Sequence, residues 1–306
     1  MKSYWRTKLS AVYKPVVSTD RLPHCIRRHP IIGFPLVYLG WAYAFWIPVL
    51  LSDRSVWELP SLSWFLIGGA SPLIAGVLLA SGDGGRAQLK DLFRRLADWR
   101  RISLTWLLSI LSFWLLFDLV MAGAAVLLDV TDSPLDINWS LWLNPEALLF
   151  LILLSFVFPA IEEVGLRGYY LDTLQKNLTP VAAATVNGIV WAIWHTPFVW
   201  FPGYYAYTSF HPSLFWWLPM IICHTLLIAY VYCHTGRSIL AALIFHGMMN
   251  FTGEWLRISA DMYPFMLSGN VLMALLVVSV WHRSAGSGSN NTQGALSMER
   301  SGNKEG

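Results

Sequence analysis

Hydrophobic and polar positions are laid out along this chain in long blocks. Apolar runs occupy residues 31–51, 62–81, 102–128, 145–166, 181–201, 214–233, 238–253 and 262–281. Several approach or exceed the roughly 20 apolar residues that a helix needs to cross a bilayer. Because backbone polar groups in lipid must be satisfied within the segment, such runs read as helices. The pattern predicts an all-α polytopic membrane protein, a bundle of about eight transmembrane helices. Composition agrees, since 56% of residues are hydrophobic and 13% charged, against about 25% charged in a soluble domain.

Charge adds sidedness. With the N-terminus inside, segments 1–30, 82–101, 167–180, 234–237 and 282–306 hold 19 of the 21 Lys and Arg residues. The outer loops keep only Arg54 and Arg257. Basic residues collect on the cytoplasmic side of membrane proteins, which predicts a multi-pass protein of the cell membrane with both termini cytoplasmic. Residues 1–30 contain no apolar signal-peptide core and read as a cytoplasmic N-terminal segment. Residues 31–144 form a group of N-terminal helices and residues 145–281 a helical core. The Gly-, Ser- and Asn-rich stretch 282–306 reads as a disordered cytoplasmic tail. Within 86–101, Leu89, Leu92, Phe93 and Leu96 share one helical face, with Arg and Lys pointing elsewhere. That face suits a helix lying on anionic lipid or one docked on the protein. Cys25, Cys223 and Cys233 have no paired spacing, so no disulfide framework is expected. Membrane lipid is the expected surrounding, and nothing points to nucleic acid.

Ionisable groups within apolar spans cost about 2.5–3.5 kcal/mol each, so each needs a reason. Asp118, Glu162, Glu163, His195, His224 and His246 are the candidates, with Asn187 and Asn250 as polar companions. Asp118 and His224 read as hydrogen-bonded packing residues, and Asn187 as a helix–helix contact. Glu162 and Glu163 end the fourth apolar run. Asn144 caps that helix and Pro145 takes its first position, so Glu162 stands about 26 Å from the start. The pair can therefore mark the end of a span. The helix can also continue to about Lys176, with Thr179 and Pro180 opening the next one. Glu162 lies 16 residues before Leu178 and His195 17 after it, so a helical hairpin brings them level. His246 joins that level if the hairpin projects about 10 Å beyond the membrane.

The spacings carry chemistry. Glu163 and Arg167 are i,i+4 on one helix and can pair. Glu162 is turned about 100° away and can face another helix. His246 and Asn250 are also i,i+4, with Gly247 between them allowing close helix approach. A carboxylate beside an imidazole can hold and deprotonate a water. A second His and an Asn can stabilise an oxyanion. Glu162, His195 and His246 also make a possible zinc ligand set with an open position.

Three elements in this order, "EEVGLR" (162–167), "WAIWH" (191–195) and "HGMMN" (246–250), resemble the CAAX prenyl protease family, also called the CPBP or ABI family of intramembrane proteases. The resemblance covers roughly residues 145–255. Trp191 stands where the family often has Phe. The resemblance implies a membrane-embedded endopeptidase acting on a membrane-anchored or lipidated, CAAX-like peptide. By it, Glu162 and His195 activate water, His246 and Asn250 stabilise the oxyanion, and Glu163 supports them. Arg167 holds the glutamate helix, and Trp191 shapes the pocket wall. The family has been described both as glutamate-dependent and as metal-dependent. The favoured reading needs no cofactor, with zinc as the alternative; the zinc-protease pattern H-E-x-x-H is absent. Two rival functions remain. One is a non-catalytic immunity factor or scaffold of the same family. The other is a proton-coupled transporter, for which the expected repeats are missing.

Overall fold

Short polar residues set the helix starts. Asn144 Oδ1 accepts from the backbone N–H of Ala147 at 3.1 Å, and Thr179 Oγ1 from that of Ala182 at 3.3 Å. Each is followed by a proline at the first helical position, where no N–H is needed. Ser103 and Ser238 cap two further helices in the same way.

The computed structural model describes residues 30–302 apart from 207, 209 and 211, with side chains described to Arg283. Of the N-terminal segment expected at 1–30, residues 1–29 lie outside the described residues. The elements are α1 (Pro30–Leu50), α2 (Ser61–Gly69), α3 (Ser71–Ala97), α4 (Leu104–Leu127), α5 (Pro145–Gly165), a π-helical segment (Leu166–Leu171), α6 (Asp172–Gln175), α7 (Pro180–His195), α8 (Leu214–His234), α9 (Ile239–Leu256) and α10 (Met262–Gly302). Apart from an isolated bridge between Leu135 and Ile258, the described residues hold no strand, so the fold is all-α. The last helix runs to Gly302, through the stretch whose composition predicted a disordered tail.

Helix α5 packs between α3 and α9, and α8 between α7 and α10. Glycines allow the two tightest crossings at α5. A Cβ on Gly165 would fall 2.0 Å from the Pro72 carbonyl oxygen of α3, and one on Gly247 of α9 would fall 2.3 Å from the Phe156 ring. At Gly165 the α5 backbone lies directly on that of α3, and at Gly247 the Phe156 ring and the Ser155 carbonyl of α5 press on α9.

Five helices are long and apolar enough to cross a membrane, or six if Ser61–Gly69 and Ser71–Ala97, bent by 41°, form one span. The protein is therefore a multi-pass membrane protein. Leu108, Leu149, Leu153, Leu272 and Leu276 point outward and stay exposed, as a lipid-facing surface requires. The sequence predicts about eight spans, and the difference rests on α7 and α9. Helix α7 has 16 residues, about 24 Å against a ~30 Å core. Helix α9 carries His246, Asn250 and Glu254 among its 18 residues.

The segment 86–101 carried two readings. Helix α3 bends at Gly85, whose φ is 59°, and residues 86–97 then lie against the protein. Leu92 is buried as expected, but Phe93 is 47% exposed and Arg95 only 3%. The arginine points inward because Asp172 waits there, with Arg95 Nη1 3.0 Å from Asp172 Oδ2. Of the two readings of this segment, docking on protein describes these residues.

Candidate active site

The segment after α5 widens into a π-helix, and π-helical turns recur at functional sites. Two of its carbonyls are taken by side chains from other helices. Asn187 Nδ2 of α7 donates to Leu166 O at 2.9 Å, and Arg95 Nη2 of α3 donates to Gly168 O at 2.8 Å. Asn187 is thus a helix–helix contact, made to backbone. Arg167, between these two carbonyls, turns back toward α5.

There it meets Glu163. Arg167 Nη1 lies 2.8 Å from Glu163 Oε1, and both side chains are fully buried. The i,i+4 spacing forms the pair that it suggested. The same oxygen accepts a second bond from His246 Nδ1 of α9, at 2.9 Å. Because the acceptor is a carboxylate, Nδ1 carries the proton and Nε2 points onward. Glu163 Oε2 and Arg167 Nε and Nη2 are buried without a hydrogen-bond partner among the described residues.

Glu162 faces the other way. Its Oε2 accepts from Trp191 Nε1 of α7 at 2.7 Å, which leaves Oε1 for a further donor. The Trp191 ring is the meeting point of the constellation. The His195 and His246 rings each stand edge-on to it at 5.0 Å between centroids, and the Arg167 guanidinium lies 4.8 Å over its face. The latter is a cation–π contact. His195 Nδ1 donates to the Trp191 carbonyl at 3.0 Å, so its Nε2 is free to accept. His195 is partly exposed, packed among Trp194, Phe198 and Trp217. Asn250 stands one turn beyond His246, also partly exposed.

The three elements therefore converge, as the depths of Glu162, His195 and His246 along the chain suggest. The other candidates fall elsewhere. Asp118 accepts from Thr252 Oγ1 at 2.8 Å, tying α4 to α9. His224 stands edge-on to Trp114 at 5.2 Å. What sequence reasoning missed is the polar contribution of Trp191, read there only as pocket wall. The signal was its departure from Phe, because the exchange adds an N–H donor. Arg95 was missed as well.

Among the described residues no three His, Cys, Asp or Glu side chains gather as metal ligands. Nδ1 of both histidines is turned to other partners.

Residues 144–252, which contain all three elements, match the family model described as Type II CAAX prenyl endopeptidase Rce1-like. CAAX prenyl protease 2 of Methanococcus maripaludis is 27% identical over 236 residues, covering 74% of this chain and 83% of its own length. Through the stretch that builds the Glu–Trp–His constellation, the sequence of this chain matches the Rce1-like CAAX protease family.

Proposed function

We propose that this protein is an intramembrane endopeptidase that cuts a peptide bond in a membrane-anchored or lipidated, CAAX-like substrate. The observation that carries the reading is the Trp191 indole, which bonds Glu162 and touches the rings of both His195 and His246. Family likeness supplies the reaction class. In this mechanism the free oxygen of Glu162 and Nε2 of His195 hold a water. Glu162 takes its proton as the oxygen attacks the carbonyl carbon. His246, held through Nδ1 by Glu163 and acting as the imidazolium with its second proton on Nε2, donates to the oxyanion together with Asn250. The C–N bond then breaks, and the proton held by Glu162 passes to the leaving amine. No step is routed through a metal ion. Helices α7 and α9 complete eight crossings, with both termini on the cytoplasmic side as the basic residues suggest.

The test is release of the C-terminal tripeptide from a farnesylated CAAX-type peptide by the purified chain, read by mass spectrometry. Wild type should cleave and Glu162→Gln should not. Absence of cleavage by wild type, or equal cleavage by the variant, would overturn the proposal. Activity should survive exhaustive chelation. Loss that stoichiometric zinc restores would replace the metal-free mechanism with a zinc-dependent one.

A further inference from the structure

Glu163 and Asp172 lie nine residues apart, both buried, with the π-helical segment between them. Asp172 is held from three sides. Tyr232 Oη of α8 and Arg237 Nε, from the turn before α9, each donate to Oδ1 at 2.9 Å, and Arg237 also bonds Oδ2. Arg95 bonds Oδ2 and Tyr232 Oη from α3. A different nitrogen of the same guanidinium reaches Gly168 O, inside the π-helical segment and next to Arg167. A planar fork offers separate nitrogens in fixed geometry to the carboxylate and the carbonyl, whereas an ammonium gathers its three donors on one nitrogen. Gly168 itself is pressed between Leu92 and Ile239, where a Cβ would meet side chains at 2.6 and 2.7 Å.

We propose that Arg95 is a positioning residue for the active site. By holding Gly168 O and Asp172 together it fixes the rotation of the π-helical segment, and so the aim of Arg167 at Glu163 and of Glu163 at His246. The residue lies outside the segment that matches the family model. The effect on catalysis rests on the proposed peptidase reading; the effect on geometry does not.

The experiment uses the full chain in detergent, with the farnesylated peptide as substrate. A second readout is NMR of Cε1-labelled histidine, with His246 identified by the loss of its signal in His246→Gln. Arg95→Lys keeps a cation beside Asp172 and removes the fork. It should lower kcat about tenfold with KM within about twofold, the signature of a misplaced catalytic group. It should also move the His246 resonance, while that of His282 stays. Arg95→Ala should do the same to a greater degree, and if it fails to fold, Arg95→Lys decides alone. Arg94→Lys, at an exposed neighbouring position, should change neither readout. A His246 resonance unmoved by Arg95→Lys overturns the proposal whatever the activity, and so does an unchanged kcat in a cleaving enzyme. If wild type does not cleave, the peptidase reading falls and the resonance alone decides the role of Arg95.

Discussion

Two buried carboxylates on one continuous helical segment have opposite surroundings. Asp172 is saturated: both oxygens accept bonds, from two arginines and a tyrosine. Glu163 takes both of its bonds, from Arg167 and His246, on one oxygen and keeps the other unpaired. Glu162 beside it has, among the described residues, a single donor, Trp191. Burial of charge alone does not separate structure from chemistry, since both clusters are buried and both contain arginine. Saturation does separate them. A buried polar network that is complete rigidifies its surroundings, whereas an incomplete one keeps hydrogen-bonding capacity for something else. On the peptidase reading proposed above, the chemistry belongs to the glutamate pair and the scaffolding to Asp172.

The largest expected effect lies at the incomplete cluster. Glu162→Gln keeps the shape and the bond from Trp191 but removes the base, and should lower turnover by about 10²–10⁴-fold. Thermal stability, measured on the same preparation, should barely change. A parallel loss of stability would make Glu162 a second Asp172 and erase the distinction. Next come the charge deletions. Arg167→Ala removes the arginine partner of Glu163, and Asp172→Ala removes the carboxylate that Arg95 and Arg237 share. Each should cost about 3–5 kcal/mol of stability and reduce the yield of folded protein. Full yield from Arg167→Ala would mean that the Glu163 charge is balanced in some other way.

A smaller effect is expected at Trp191. Trp191→Phe preserves a ring against His195 and His246 and deletes the N–H to Glu162. Loss of a hydrogen bond to a charged group, worth about 1.5–3 kcal/mol, corresponds to a fall in kcat of roughly tenfold or more. Unchanged kcat would show that the ring, and not the donor, is what matters there. Smallest of all is Arg94→Ala, whose ion pair with Asp91 is exposed; exposed pairs contribute little. Activity and melting temperature should both stay at wild-type values.

Much of this was legible in the chain. Apolar blocks and the pairs Asn144–Pro145 and Thr179–Pro180 place the helices, because caps and span lengths are local properties. The Glu163–Arg167 pair follows from i,i+4 geometry on one helix. Arg95 was not legible, because its stripe is amphipathic either way. Whether an arginine beside that stripe faces water or protein depends on Asp172, 77 positions away. Bonds from Asn187 and Arg95 to the carbonyls of Leu166 and Gly168 were hidden for a related reason: they meet a π-helical segment that no local pattern announces. Trp191 was visible as a residue type, and its indole N–H was overlooked because aromatic side chains in lipid read first as packing. The count of spans differed at α7 and α9, the two helices that carry His195, His246 and Asn250. Polar side chains and short length lower the very signal by which a span is recognised.

The length of α7 has a consequence for the lipid itself. Its 16 residues rise about 24 Å, and Ile189 and Ile193 show it to be open on one face. A hydrophobic wall shorter than the surrounding hydrocarbon creates mismatch, which a bilayer relieves by thinning. On the eight-crossing arrangement proposed above, a dimple is expected beside α7, drawing the headgroups on its His195 side inward toward the exposed Trp200. A lipid-anchored chain lying in that depression would find the water boundary near the histidine already, with less of its polar backbone to carry through hydrocarbon.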